Sequence, residues 1–254
     1  GDVKLAAGDS IINTAKITSL ESNVELTAAN AVYNMLYNDT TKPVTGSTKN
    51  GTIEAGGNVI IETKNTAADD FRGVYNSANI VADGSVLMTS KDDLTNKGKV
   101  DAQGQVILLA NDELDNSGTI KAEGLVDIDS KRNINNTGAI ESNWFVDMDA
   151  LGNITNTQSI YSSGHVNIDA VGSLHNSGSI TAVDEVELKA QQDLENTRNI
   201  ISQKDHVLID AKGNLNNSGD IKAYDFVDLD SWLLLSNTGN IISENSGVTL
   251  QATV

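Results

Sequence analysis

The sequence predicts an all-β protein: a single-stranded right-handed parallel β-helix (solenoid) with about 20 residues and three short strands per coil. Three observations favour this fold class. Similar segments recur along the chain, apolar and polar residues alternate inside each segment, and one asparagine returns at the same position of each segment. A unit of this length cannot close a core alone, so neighbouring units must stack on one another.

The repeat is most regular from residue 94 onward. One unit, residues 114–133, reads LDNSGTIKAEGLVDIDSKRN, and its neighbours keep the same frame. The frame continues forward to Leu235 and back to Val74, Val32 and Ile11. The repetition therefore extends over nearly the whole chain, and it predicts a rod in which each coil contacts only the next.

Within one unit the alternation has a period of two, which is typical of strands and not of helices. One set of side chains is expected to point inward: Leu114, Asn116, Ile120, Ala122, Val126, Ile128 and Ser130. The other set is expected to point outward: Asp115, Lys121, Asp127 and Asp129. Three such runs, separated by turns and stacked about 4.8 Å apart, give three parallel sheets around an aliphatic core.

The asparagine column is the sharpest signal in the repeat. Inward amides can donate to one neighbouring coil and accept from the other, which makes a hydrogen-bonded ladder. Without such partners each buried amide would cost about 1–3 kcal/mol. The predicted structural ladder consists of Asn13, Asn34, Asn76, Asn96, Asn116, Asn136, Asn156, Asn176, Asn196, Asn217 and Asn237.

Composition and charge exclude several classes of function. The net charge of −18 over 254 residues repels phosphates, so no nucleic-acid partner is expected. The absence of cysteine excludes disulfides and cysteine-ligated metals. No apolar run approaches the length that a membrane helix needs, so the chain is not expected to be membrane-embedded.

The pattern L-x-N-x-G-x-I-x-A-x-G-x-V-x-I-x-A resembles the haemagglutinin repeats of filamentous haemagglutinin-like proteins. These are the two-partner-secretion adhesins and contact-dependent growth-inhibition exoproteins of Gram-negative bacteria. The resemblance covers essentially the whole chain. It implies a filament that is secreted to the bacterial surface through an outer-membrane two-partner-secretion transporter.

No cofactor is expected, and the expected partner is a receptor or glycan on a host or target-cell surface. The family's secretion domain carries Asn-Pro-Asn motifs, which this sequence lacks, since Pro43 is its one proline. No toxin module is visible. Residues 1–254 are therefore interpreted as a shaft fragment of a longer filament, which mediates adhesion or cell–cell contact and presents or carries a toxin in some members.

Two insertions interrupt the repeat, at residues 35–50 and 64–73. A rod tolerates insertions at its corners, because closing a longer loop costs little. One interpretation is a recognition surface for a receptor or glycan, with Tyr37, Lys42, Pro43 and Phe71 as candidate contacts. The other interpretation is decoration without a partner.

Alignment of the units places Leu125, Phe145, His165, Glu185, His206 and Phe226 in one outward column. Trp144 lies beside this column, and Trp232 lies farther along. We interpret Trp144, Phe145, Phe226 and Trp232 as a candidate partner-binding set, since exposed aromatic patches mark interaction sites. Ordinary stacking along a sheet is the alternative. A weaker hypothesis is that His165, Glu185 and His206 chelate a metal.

Two further outward columns are acidic. One contains Asp127, Asp147, Asn167, Glu187 and Asp228, and the other contains Asp129, Asp149, Asp169, Asp210 and Asp230. Lys189 interrupts the second column. Like charges one coil apart disfavour stacking. Calcium could relieve the repulsion, but the chain lacks a G-G-x-G-x-D repeat, and solvation by water and counterions is the alternative.

Some β-helices are polysaccharide lyases or hydrolases, which concentrate carboxylates or an arginine base in one cleft. Here the acids are spread evenly, and Arg72, Arg132 and Arg198 lie outside the acidic columns. The sequence therefore predicts no enzyme activity. Three functions stay open: a structural shaft, a receptor- or glycan-binding segment, and a carbohydrate-active enzyme.

Overall fold

A computed structural model describes residues 1–36, 50–65 and 73–253. These residues form 34 strands and no helix. The strands belong to three parallel sheets that wind into a right-handed solenoid of about 12 turns with about 20 residues per coil. The predicted fold class is confirmed. Among the described residues no helix is long and apolar enough to cross a membrane.

Each coil contributes one strand to each sheet, so every strand pairs with strands three places away in sequence. Sheet A has 12 strands: β1 Val3–Ala7, β4 Val24–Ala28, β7 Val59–Thr63, β10 Val86–Ser90, β13 Val106–Ala110, β16 Val126–Ser130, β19 Val146–Ala150, β22 Val166–Ala170, β25 Val186–Ala190, β28 Val207–Ala211, β31 Val227–Ser231 and β34 Val248–Ala252.

Sheet B follows sheet A in each coil and has 11 strands: β2 Ser10–Asn13, β5 Ala31–Asn34, β8 Gly73–Asn76, β11 Asp93–Asn96, β14 Leu114–Asn116, β17 Ile134–Asn136, β20 Ile154–Asn156, β23 Leu174–Asn176, β26 Leu194–Asn196, β29 Leu215–Asn217 and β32 Leu235–Asn237.

Sheet C completes the coil and also has 11 strands: β3 Lys16–Ser19, β6 Thr52–Ala55, β9 Asn79–Ala82, β12 Lys99–Ala102, β15 Thr119–Ala122, β18 Ile140–Ser142, β21 Ile160–Ser162, β24 Ile180–Ala182, β27 Ile200–Ser202, β30 Ile221–Ala223 and β33 Ile241–Ser243.

The core is built from columns of identical or similar aliphatic residues. In sheet A, the first residue of every strand is valine, and Val126 is in register with Val106 below and Val146 above. Both neighbouring valines are fully buried, as is Val126. The strict alternation of buried and partly exposed positions in β16 follows from the pleat. Because each inward residue meets its own copies, small β-branched and unbranched aliphatic side chains fill the interior without aromatics.

The insertions begin and end inside the described fold. Met35 is buried, and its carbonyl accepts a hydrogen bond from the Gly51 N–H at 2.7 Å, which holds the two ends of the first insertion together. Gly73 begins β8 with a φ of 130°, and a Cβ there would lie 2.0 Å from the Asp93 carbonyl oxygen, so glycine is required. Tyr33 and Tyr75 face away from the main core, yet both are buried, in a small separate cluster.

Candidate functional site

The asparagine column occupies the last position of every strand in sheet B, and its side chains face the interior. In the middle of the rod, the Asn116 amide donates to Asn136 Oδ1 at 2.7 Å, and Asn136 donates to Asn156 at 2.7 Å. The unbroken chain of ten such bonds, 2.6–2.9 Å long, joins all eleven residues, from Asn13 to Asn237.

The second proton of several of these amides binds the backbone two residues later. The Asn156 amide donates to the Gln158 carbonyl at 2.9 Å, and the Asn176 amide donates to the Gly178 carbonyl at 2.8 Å. A buried amide is therefore hydrogen-bonded along the column and to its own turn. This arrangement fixes register and has no exposed chemistry, so candidate binding features must lie on the outer faces.

The aromatic column lies just before the strands of sheet A. Backbone hydrogen bonds to Phe145, His165, Glu185 and His206 from the first valines of the preceding sheet A strands place these four residues in successive coils. The column contains two stacks, separated by Glu185. In the first, Trp144 packs on Phe145 with ring centroids 4.4 Å apart, and Phe145 packs on His165 at 3.7 Å. In the second, His206 packs on Phe226 at 4.6 Å.

The remaining aromatic candidates lie elsewhere. Trp232 follows β31 at the opposite end of the sheet A strands, where the Lys212 ammonium lies 4.7 Å from its ring centroid. Trp144 and Trp232 are each about half exposed, at 50% and 53%. Tyr37, Lys42, Pro43 and Phe71 lie outside the described residues. The structure therefore brings together Trp144 and Phe145, and separately Phe226 and His206, but it does not make one aromatic patch.

One cluster combines an imidazole with two carboxylates. Donor atoms of Glu185, Asp205 and His206 all lie within 4.8 Å of one another. His206 Nδ1 is 2.6 Å from Asp205 Oδ1, and His206 Nε2 is 3.5 Å from Glu185 Oε2. The sequence interpretation missed Asp205 and included His165, whose ring instead stacks on Phe145.

Asp205 lies in a turn that is longer than its neighbours. Three residues join β24 to β25, whereas four residues join β27 to β28. Asp205 directly precedes His206 in the chain and lies one coil from Asp225, whose N–H donates to the Asp205 carbonyl at 3.0 Å. The additional residue therefore lies before Asp205 and does not disturb the register, since Val207 still pairs with Val186. The 21-residue spacing between Asn196 and Asn217 is the signal in the sequence that marks this turn.

The acidic columns lie on the outer face of sheet A, and the register shows where each is interrupted. Leu208 lies between Glu187 and Asp228 in the first column, and Lys189 lies between Asp169 and Asp210 in the second. The longest acidic stretch is thus in the middle of the rod, where Asp127 and Asp129 pair with Asp147 and Asp149 on the next strand.

Burial and neighbouring charge raise the pKa values of two of these carboxylates, Asp127 and Asp149. Desolvation, reinforced by the charges of Asp129 and Asp147, raises the pKa of Asp127 to about 6. Desolvation and the charges of Asp147 and Asp129 likewise raise the pKa of Asp149 to about 6. Among the described residues, the two clusters whose donor atoms converge lie elsewhere, at Glu185–Asp205–His206 and at Asp92, Asp93 and Asp112.

A groove of about 570 Å³ runs along the rod beside the second acidic column. Its floor is formed by small residues such as Ala110 and Ser130 at the ends of the sheet A strands. Asp129 and Asp149 line one side, and the exposed Leu151 lines the other. It is an open surface groove along the rod axis.

Comparison with known proteins identifies the repeat. The haemagglutinin repeat family matches residues 1–34, 37–164 and 145–219. No curated protein and no solved structure matches the chain. The matched segments include most of the asparagine ladder and all of the Glu185–Asp205–His206 cluster. The chain belongs to the haemagglutinin repeat family.

Proposed function

We propose that this chain is a structural shaft segment of a secreted bacterial surface filament that mediates adhesion or cell–cell contact. The solenoid and the family fit a structural adhesin shaft, and the family is structural and not enzymatic. The observation that carries the proposal is the ladder, which joins every coil to the next without interruption from Asn13 to Asn237. A column that joins every coil to the next suits a long and rigid rod.

A shaft acts through its length and stiffness. Removal of whole coils should therefore shorten the filament, while its contact with target cells is retained. Leu94 and Leu174 occupy equivalent positions four coils apart. Deleting residues 94–173 from the full-length filament joins two strands in register. We expect a surface filament shorter by about 19 Å, measured by electron microscopy, with adherence to target cells retained.

A matched control deletes residues 94–163, which removes three and a half coils. The junction then runs from β10 almost directly into β22, both of sheet A, so this coil lacks its sheet B and sheet C strands and the inward columns are broken. This variant should be displayed poorly or degraded. If the in-register deletion is displayed normally but adherence is lost, the segment binds the target itself and the shaft proposal is wrong.

Export through a two-partner-secretion transporter, and presentation of a toxin in the growth-inhibition proteins, are parts of the same proposal. They rest on the family resemblance. Display of the full-length filament should require the transporter encoded with it. Filament on the surface of a transporter-deletion strain, detected by whole-cell immunoblot, would contradict this part of the proposal.

The second candidate function is receptor or glycan binding through the insertions. The observation that favours it is their placement. The first insertion leaves the end of β5, the second enters the start of β8, and these strands are neighbours in sheet B. The attachment points of the two insertions therefore lie at opposite ends of the sheet B strands.

Deletion of residues 37–49 tests this candidate, because it keeps Met35 in the core and retains the hydrogen bond from the Leu36 N–H to Ser77 Oγ at 3.1 Å. Binding of the full-length filament to whole cells and to a glycan array is the measurement. Unchanged binding would end this candidate, and lost binding with unchanged display would establish it in preference to the shaft.

A further inference from the structure

We propose that Glu185, Asp205 and His206 form a binding site for a divalent transition metal of the zinc type, in which Glu185 and His206 Nε2 are ligands and Asp205 orients the imidazole. The site lies beside the first residues of β25 and β28 in sheet A, where Asp205 directly precedes His206 in the turn before β28. It is independent of the shaft function.

The distance between His206 and Glu185 is long for a hydrogen bond and suits two ligands of one metal ion. His206 Nε2 and Glu185 Oε2 are 3.5 Å apart, which is beyond the 2.7–3.2 Å of a good N–H···O hydrogen bond. Two ligands of a tetrahedral zinc ion, with bonds of about 2.0–2.2 Å, are separated by about 3.4 Å. The gap between the two side chains therefore matches the span across one metal ion.

Asp205 supplies the second interaction that metal-binding histidines usually have. Its Oδ1 lies 2.6 Å from His206 Nδ1, and an N–H···O bond there leaves the lone pair on Nε2, the nitrogen that faces Glu185. Phe226 packs flat on the same imidazole, with centroids 4.6 Å apart and planes 8° apart. The carboxylate and the phenyl ring together fix the orientation of His206.

The cluster is also accessible, and its donors suit a borderline metal. The side chains of His206, Glu185 and Asp205 are 19%, 37% and 47% exposed, so a metal can enter and water can complete its coordination. Imidazole nitrogen favours zinc, copper and nickel over calcium and magnesium, which prefer oxygen donors. The acidic columns, built only of oxygen donors, offer no such selectivity.

His175 provides the matched control. His175 Nδ1 lies 3.1 Å from Glu195 Oε2 on the outer face of sheet B, and among the residues that the structure describes no third donor converges on this pair. It combines the same residue types one coil apart. If zinc binding required only a histidine close to a glutamate, the His175–Glu195 and His206–Glu185 pairs would bind zinc with equal affinity.

The test is isothermal titration of the 254-residue chain with zinc chloride in the presence of excess calcium and magnesium, which occupy carboxylate-only sites. We expect one tight equivalent of zinc in the wild type. His206→Gln should lower the affinity at least tenfold and His175→Gln should leave it unchanged. Asp205→Asn should weaken binding by about 10- to 100-fold through misorientation of the ring.

Circular dichroism must show that each variant folds, because His206→Gln removes a stacked ring. If His206→Gln does not fold, Glu185→Gln, a nearly isosteric change, replaces it. Equal zinc affinity in folded wild type and either variant would overturn the proposal. So would an absence of zinc binding by the wild type, or equal losses for His175→Gln and His206→Gln.

Discussion

The asparagine column inside the solenoid and the aspartate columns on its outer face arise from the same repetition, but stacking has opposite effects on them. An amide is complementary to its own copy, because one end donates and the other accepts. An ionised carboxylate only accepts and repels its copy. The Asn116–Asn136 pair is accordingly hydrogen-bonded at 2.7 Å, whereas Asp127 and Asp149 have raised pKa values of about 6. Repetition thus multiplies the favourable or unfavourable interaction of a residue with itself.

The largest expected effect is the loss of one amide from the column. Asn136→Ala leaves the Asn116 donor and the Asn156 acceptor without their column partners inside the rod. We expect a loss of about 3 kcal/mol in the free energy of unfolding, measured by urea denaturation. Asn135→Ala is the control, since Asn135 donates to Asp115 on the exposed face. Equal stability of the two variants would show that the column adds no stability.

Reversal of the charge that divides the second acidic column should have the next largest effect. Lys189 lies between Asp169 and Asp210 and pairs with Glu187 at 2.6 Å. Lys189→Glu would extend the carboxylate column, and we expect a loss of about 1 kcal/mol after allowance for solvent screening. Lys189→Gln should lose less. Equal urea midpoints for both variants would indicate that charge in this column is fully screened.

Removal of repulsion on the outer face should stabilise the rod. In the double variant Asp127→Asn, Asp149→Asn, two crowded carboxylates become neutral. We expect a gain of about 1 kcal/mol at pH 7, again discounted for solvent exposure. Asp228→Asn is the control, because its column neighbours are Leu208 and Thr249. A loss of stability in the double variant at pH 7 would mean that these carboxylates are held by an attractive interaction, such as calcium.

The pH dependence of stability is the smallest and most specific effect. The pKa values of Asp127 and Asp149 in the folded chain, about 6, lie above their ordinary value of 3.8. The folded state therefore binds protons more tightly than the unfolded state. These groups make the rod more stable at pH 5 than at pH 7, and this contribution is lost as the pH rises through about 6.

Urea midpoints at pH 5 and pH 7 measure this effect. The difference between the two midpoints should be larger for the wild type than for the double variant, in which both groups no longer titrate. An equal pH dependence in the two proteins would assign the effect to other groups.

Much of this arrangement is predictable from the sequence, because in a solenoid the sequence period is also the spatial period. The spacing of Asn116 and Asn136 alone places them one above the other, and the alternation in 126–130 predicts which side chains face the core. The same reasoning predicts that Phe145, His165 and His206 lie in one column, and the backbone hydrogen bonds confirm this alignment.

The candidate site is less predictable, since it depends on side-chain orientation in the turns. Asp205 lies one coil from Asp225, but the sequence does not show that its carboxylate turns to the imidazole of His206. Ring orientation is likewise a matter of packing: His165 turns to Phe145, whereas His206 turns to Phe226. The consensus of the repeat does not specify towards which neighbour a side chain turns. Insertion boundaries are similarly imprecise, since Met35 and Gly73 belong to the fold.

The most direct test of the hydrogen bonds between equivalent asparagines of neighbouring coils is a double-mutant cycle on the asparagine column. Asn116 and Asn136 share a hydrogen bond, whereas Asn116 and Asn196 are four coils apart. Alanine substitution of the neighbours should be less costly together than the sum of the single losses, with a coupling of about 1 kcal/mol, because one bond is counted twice. The distant pair should be additive within about 0.5 kcal/mol. Additive losses for the neighbouring pair would contradict the account.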